Sequence, residues 1–133
     1  MKRFLSVGLV LIFTLVGFSS VAAAIDLVDA TWMKQNLTAK NVRIVDVQNK
    51  PYSYDKEHIP GAVKVYRYAD LSNVTSEPPT LYPTAEQFEA VLQRLGIDND
   101  TTVVAYDDKQ GLFASRMLVL MELFGHDTDK LKL

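Results

Sequence analysis

The spacing of apolar positions changes several times along this chain, and each change predicts an element. DATWMKQNL has an acidic start and places Trp32, Met33 and Leu37 at helical intervals, which predicts a short helix over residues 30–37. VRIVDV, residues 42–47, is rich in β-branched residues and bounded by polar ones, the pattern of a buried strand. A helical turn over residues 54–58 runs into HIPGA, and VKVYRY, residues 63–68, alternates as a strand does. Residues 70–84, DLSNVTSEPPTLYPT, carry prolines and hydroxyl residues that forbid regular structure over most of their length. Thr84 then stands as an N-cap before Glu86 and Gln87. Beyond it Phe88, Val91, Leu92 and Leu95 share one helical face, and Gly96 ends the helix. A strand over residues 102–106, a polar loop over 107–111 and a helix over 112–124 closed by Gly125 follow. That helix is apolar almost all round through Met117, Leu118, Leu120, Met121 and Leu123, which predicts core and contact with a partner domain. KLKL, residues 130–133, is strand-like. Strands alternating with helices predict an α/β fold whose parallel sheet is covered on both faces. Ligands in such sheets settle at the carboxyl ends of strands, so the strand-to-helix loop at Asp107 is where a site is expected.

The first 24 residues, MKRFLSVGLVLIFTLVGFSSVAAA, follow none of these periods. Lys2-Arg3, an apolar run from Phe4 to Phe18, and small residues at Ala22 and Ala24 form an export signal with cleavage after Ala24. An uncleaved anchor is the rival reading, but the run is short for a bilayer span. One domain, residues 25–133, remains, and the protein is expected to be exported, periplasmic or secreted, and off the membrane once the signal is cut. The absence of cysteine excludes a lipid-anchored cysteine and any disulfide. The formal charge of −2 becomes −4 when Lys2 and Arg3 are removed. Scattered basic residues on a mildly acidic chain leave no electrostatic footprint for nucleic acid.

Where the chain turns from strand into helix after Tyr106, backbone N–H groups and a helix N-terminus converge into a cradle that stabilises an anion. A cysteine at its tip would be held as a thiolate nucleophile able to carry a second sulfur. Asp107 cannot do this, and its fixed negative charge neutralises the cradle. Phosphoryl transfer through Asp107-Asp108 lacks the D-x-D spacing and following hydroxyl expected of such sites. A metal site from Asp46, Asp107 and Asp108 is conceivable because strand ends converge, yet acidic strand ends usually serve as caps or loop anchors. No metal and no cofactor is therefore expected.

VRIVDVQNKPYSYDKEHIPGAVKV followed later by TTVVAYDDKQGLFASRMLVLMELFGHD resembles the rhodanese family, specifically the first domain of tandem-domain thiosulfate and mercaptopyruvate sulfurtransferases. The features that carry it are Asp46 in a V-D-V strand end, His58-Ile59-Pro60-Gly61-Ala62, and Tyr106-Asp107-Asp108 leading through Gly111 to Arg116. The resemblance implies a three-layer α/β/α fold with a parallel five-stranded sheet, in which KLKL begins the last strand and the domain is truncated there. It also implies that Asp107 occupies the position of the family's catalytic cysteine, leaving no catalytic residue in this chain, while Asp46, His58, Gly61, Asp108, Gly111 and Arg116 frame the loop. Gln48 stands where many relatives have arginine. The F-D-I-D and H-M-L-P stretches of mercaptopyruvate-type first domains are replaced by Val65-Tyr66-Arg67-Tyr68 and Thr80-Leu81-Tyr82-Pro83, which favours thiosulfate as the inherited donor.

The expected function is thus the non-catalytic domain of an exported thiosulfate-type sulfurtransferase. Its partner would be a missing catalytic rhodanese domain that carries sulfane sulfur on a cysteine. The alternatives are a standalone protein-binding module docking a partner near Asp107, and a gene fragment with no role. His58 is expected to bond backbone within its turn, and Asp46 to bond N–H groups of a neighbouring loop. His126, after a C-cap glycine, is expected as an exposed cation at a helix end.

Overall fold

A computed structural model describes residues 25–133 except Thr80, so the export-signal reading of residues 1–24 lies outside the described residues. The elements in order are α1 (Ala30–Asn36), β1 (Val42–Asp46), α2 (Pro51–Lys56), β2 (Val63–Lys64), α3 (Ala85–Leu95), β3 (Thr102–Tyr106), α4 (Leu112–Leu123) and β4 (Leu131–Lys132), with a short 3-10 turn at Thr128–Lys130. The sheet is parallel throughout, in the order β2-β1-β3-β4. Beyond β4 residues 26–28 add a parallel bridge from Asp26 to Lys132, backed by Val28 N–H to Leu133 O (2.9 Å) and Leu133 N–H to Asp26 O (2.9 Å). The five-stranded expectation is therefore met by four strands and this bridged segment among the described residues. β4 is an inner strand, lying between β3 and residues 25–28.

β1 and β3 are buried on both faces: Ile44 and Val45, like Val103, Val104 and Ala105, are almost completely sealed. That explains their runs of apolar residues, because a strand with helices on either side has no solvent face to mark with polar positions. Val45, Val47, Val103 and Ala105 join Phe88 and Leu95 of α3 and Ala114, Met117, Leu118, Leu120 and Met121 of α4 in one core. α3 starts as its sequence requires. Thr84 Oγ1 accepts the N–H of Gln87 (3.2 Å), Gln87 Oε1 accepts the N–H of Thr84 (2.9 Å), and Gly96 closes the helix in the left-handed region (φ 67°).

Three expectations are corrected. The strand over residues 63–68 is only Val63–Lys64, because β1 ends at Asp46 and offers no further pairing after Val65 N–H reaches Asp46 O (2.9 Å). The Tyr66 N–H turns instead to Asp70 Oδ2 (2.8 Å). Leu123, expected in the core, is 58% exposed, as Leu112 is at 64%. His126 is buried rather than an exposed helix-end cation. Gly125 (φ 92°) turns the chain so that His126 N–H bonds Met121 O (2.9 Å), and the ring Nε2 lies 2.9 Å from Thr101 O. Among the described residues no helix is long and apolar enough to cross a membrane.

Candidate functional site

The carboxyl ends of β1 and β3 lie in register, pairing Asp46 with Tyr106, and the segments that follow them form the site. Asp107 opens the loop into α4. Its Oδ1 accepts the N–H groups of Lys109 (2.7 Å) and Gly111 (2.9 Å), and its Oδ2 those of Phe113 (2.6 Å) and Ala114 (2.9 Å). Gly111 is the N-cap of α4 and has no side chain with which to cap it, so the carboxylate from four residues earlier takes that role. Leu112 N–H is met by Lys109 O (3.2 Å), which leaves the first turn of α4 fully bonded. Gln110 and Gly111 both hold positive φ, 57° and 83°, which bends the loop tightly enough to aim successive N–H groups inward. Burial pushes the Asp107 pKa up, but the N–H donors of Ala114, Lys109, Gly111 and Phe113 together outweigh it and hold the carboxyl below its ordinary value.

Behind the loop lies a second network. Asp46 is 1% exposed; its Oδ1 accepts Gln48 N–H (2.9 Å), and its Oδ2 accepts Gln48 Nε2 (2.7 Å) and the Tyr106 hydroxyl. The same hydroxyl accepts the Ile59 N–H (3.0 Å), tying the HIPGA turn to β3. Burial and the bond to Asp46 push the Tyr106 pKa above that of an ordinary phenol, so it remains a donor at neutral pH. His58 stacks on Tyr54 (centroids 3.9 Å, 10° between planes) and places Nδ1 2.7 Å from Tyr54 O. The Tyr54 hydroxyl donates to Ala62 O (2.7 Å), and Gly61 takes φ 82° in the turn between them. Asp108 Oδ1 accepts Asn49 N–H (2.9 Å), which joins the loops after β1 and β3.

His58, Asp107 and Asp108 thus meet around one open cavity of about 590 Å³, lined also by Gln48, Lys56, Glu57 and Tyr106, and Asp46 is tied to it through its bonds to Gln48 and Tyr106. Arg116 is placed elsewhere. Its Nε donates to Leu71 O (3.0 Å) and its guanidinium lies over the Tyr82 ring (4.9 Å), so it holds Leu71 and Tyr82. Among the described residues no three His, Cys, Asp or Glu side chains converge as metal ligands, and Asp46, Asp107 and Asp108 accept N–H and O–H donors. Tyr106 is the residue whose role sequence reasoning missed, because its parallel register with the buried Asp46 emerges only in the fold. Chemically the site is an anion cradle whose anion is the chain's own carboxylate, beside an open mouth that also carries Lys56, Glu57 and Asp108.

The family model described as Rhodanese-like domain matches residues 29–130. A Mycobacterium tuberculosis protein named "Putative thiosulfate sulfurtransferase SseA" is 38% identical over 100 residues, covering 75% of this chain and 33% of that protein. "Putative thiosulfate sulfurtransferase 1" of Mycobacterium bovis is 34% identical over 105 residues, covering 79% and 37%. The chain therefore spans about a third of the length of the curated relatives it matches. Among solved structures, the 3-mercaptopyruvate sulfotransferase SseA of Escherichia coli, described as having the "Rhodanese" fold, superposes with a TM-score of 0.65 at 26% identity, covering 78% of this chain and 43% of that one.

Proposed function

The chain belongs to the rhodanese family, and from that premise we propose that it is the cysteine-free domain of an exported sulfurtransferase of the thiosulfate type. The observation that carries the reading is Asp107 seated in the cradle with four N–H bonds. In the proposed reaction a cysteine thiolate on a partnering rhodanese domain attacks the outer sulfur of thiosulfate. The S–S bond breaks, sulfite leaves with the electron pair, and the cysteine keeps the sulfane sulfur as a persulfide. An acceptor thiolate or cyanide then takes that sulfur and restores the thiolate. A carboxylate cannot perform the first step, and this chain has no cysteine. Its contribution is one wall of the cleft, and the exposed apolar side chains of Leu112, Leu123 and Phe124 support contact with a partnering domain. Thiosulfate is favoured over mercaptopyruvate by the names of the mycobacterial relatives and by Val65-Tyr66-Arg67-Tyr68, which offers no carboxylate to assist a keto acid.

The test is thiocyanate formation from thiosulfate and cyanide by the purified full chain. No product above the buffer blank is expected, and turnover by the chain alone would sink the proposal. Export is tested separately: the chain recovered from outside the cytoplasm should have the mass of residues 25–133, and an unprocessed cytoplasmic product would contradict it.

A further inference from the structure

A second cavity, of about 270 Å³, opens beside the carboxyl ends of β1 and β2 and shares Gln48 with the Asp107 mouth. Its walls are the rings of Tyr54, Tyr66 and Tyr68 with Val65 and Ala69, and its charged side chains are Lys50, Lys64, Arg67 and Asp46. Asp46 accepts from Tyr106 and Gln48, and its charge is outnumbered by the three cations that line the same cavity.

The cations are held in place by aromatic faces. Arg67 is sandwiched between Tyr68 (4.0 Å to the ring centre) and Phe113 (4.2 Å). Lys64 lies over Tyr54 (5.3 Å) and Tyr66 (5.2 Å), its side chain 18% exposed and 3.4 Å from the exposed Asp55 carboxylate. Among the described residues no hydrogen bond or ion pair is made by the Arg67 guanidinium. A half-buried fork of five N–H donors, fixed by stacking, lining this cavity and bonded to no acceptor among the described residues, is preorganised for a planar anion.

Four N–H groups along this wall already have acceptors: Gln48 on Asp46 (2.9 Å), Asn49 on Asp108 (2.9 Å), Val65 on Asp46 O (2.9 Å) and Tyr66 on Asp70 (2.8 Å). The groups that mark the ligand class are a guanidinium, lysine ammoniums and tyrosine faces. Ligand clefts run from about 300 to 1,000 Å³, so a cavity of 270 Å³ suits a molecule of one or two rings.

We propose that this cavity binds a small aromatic carboxylate, its ring against Tyr54, Tyr66 and Tyr68 and its carboxylate on the fork of Arg67 with Lys64 beside it. Tyr66 and Tyr68, exposed at 45% and 59%, are then covered by the ligand. The site is separate from the anion cradle and does not depend on sulfur transfer.

The test titrates the full chain with 2-naphthoate, with the neutral 2-naphthalenemethanol and with thiosulfate, following backbone amide resonances. Naphthoate should shift the amides of residues 48–50 and 64–69 saturably, and the alcohol should bind at least tenfold more weakly. Arg67→Gln should weaken naphthoate binding by a similar factor and leave the Lys109 and Gly111 amides in place. Absence of saturable shifts, or equal binding of acid and alcohol, would overturn the proposal. So would thiosulfate shifting the same amides as strongly as naphthoate, since the site would then recognise any small anion. The acid–alcohol comparison uses the unaltered chain and so stands even if the variant fails to fold.

Discussion

Replacing Asp107 by alanine removes one carboxylate and strands four N–H donors at once. Lys109, Gly111, Phe113 and Ala114 lose acceptors at 2.7, 2.9, 2.6 and 2.9 Å. A hydrogen bond to a charged group nets about 1.5–3 kcal/mol, but four bonds sharing one carboxylate do not add in full, and the open mouth lets water replace part of them. Loss of an ordinary N-cap costs about 0.5–2 kcal/mol, which sets the lower scale. The expected destabilisation of Asp107→Ala is therefore about 2–3 kcal/mol at pH 7, read from urea unfolding of both chains. It carries a pH signature. The Asp107 pKa is depressed in the folded state, burial being outweighed by the N–H donors, so its stabilisation is complete above the unfolded carboxyl value of about 3.9 and lost as pH falls through the folded value. The gap between the two chains should hold from neutrality down to about pH 4 and narrow below it. A gap under about 0.5 kcal/mol at pH 7, the low end of a cap's worth, or one unchanged in acid, would refute the view that the carboxylate plugs the cradle.

Other consequences can be checked alongside. Tyr106→Phe leaves Asp46 with Gln48 alone and orphans the Ile59 N–H, and should cost about 1–3 kcal/mol in the same urea measurement. Gly111→Ala forces a Cβ into positive φ and to 3.2 Å from Leu133 Cδ2, so a loss of about 1–2 kcal/mol is expected, together with shifted resonances for the Leu133 methyls. Asp107→Cys should place a thiol among the same N–H donors and lower its pKa below the free value of about 8.5. Such a thiol should react with a disulfide reagent near pH 6 faster than free cysteine and gain one sulfur in mass with thiosulfate; ordinary thiol reactivity would mean that the cradle does not favour an anion.

What the sequence made legible was local or strictly periodic. β1 and β3 could be read from their apolar β-branched runs and α3 from Thr84 and Gln87, because the physics that forms them lies within a few residues. The Asp107 cradle was legible for the same reason: strand, polar turn, glycine and helix follow one another directly. β2 was overread, since alternation at residues 63–68 cannot reveal that its neighbour ends at Asp46 and leaves Tyr66 nothing to pair with but Asp70. His126 was misplaced because its burial depends on Thr101, 25 residues away and brought near only when α4 packs on β3. Arg116 was read as loop-framing from the family resemblance, and its long side chain reaches Leu71, 45 residues back, a contact that no local pattern announces. The Asp46–Tyr106 bond spans 60 residues and follows from strand register, which apolar pattern alone does not set between parallel strands.

The measurement that meets the central claim most directly is a carbon-detected titration of the Asp107 side-chain carboxyl in the full chain. A cradle filled by its own carboxylate predicts a midpoint clearly below the ordinary aspartate value of about 3.9, with the Phe113 and Ala114 amides moving at that same pH. A midpoint at or above the ordinary value, with those amides unmoved, would mean that Asp107 does not occupy the cradle and would contradict the account.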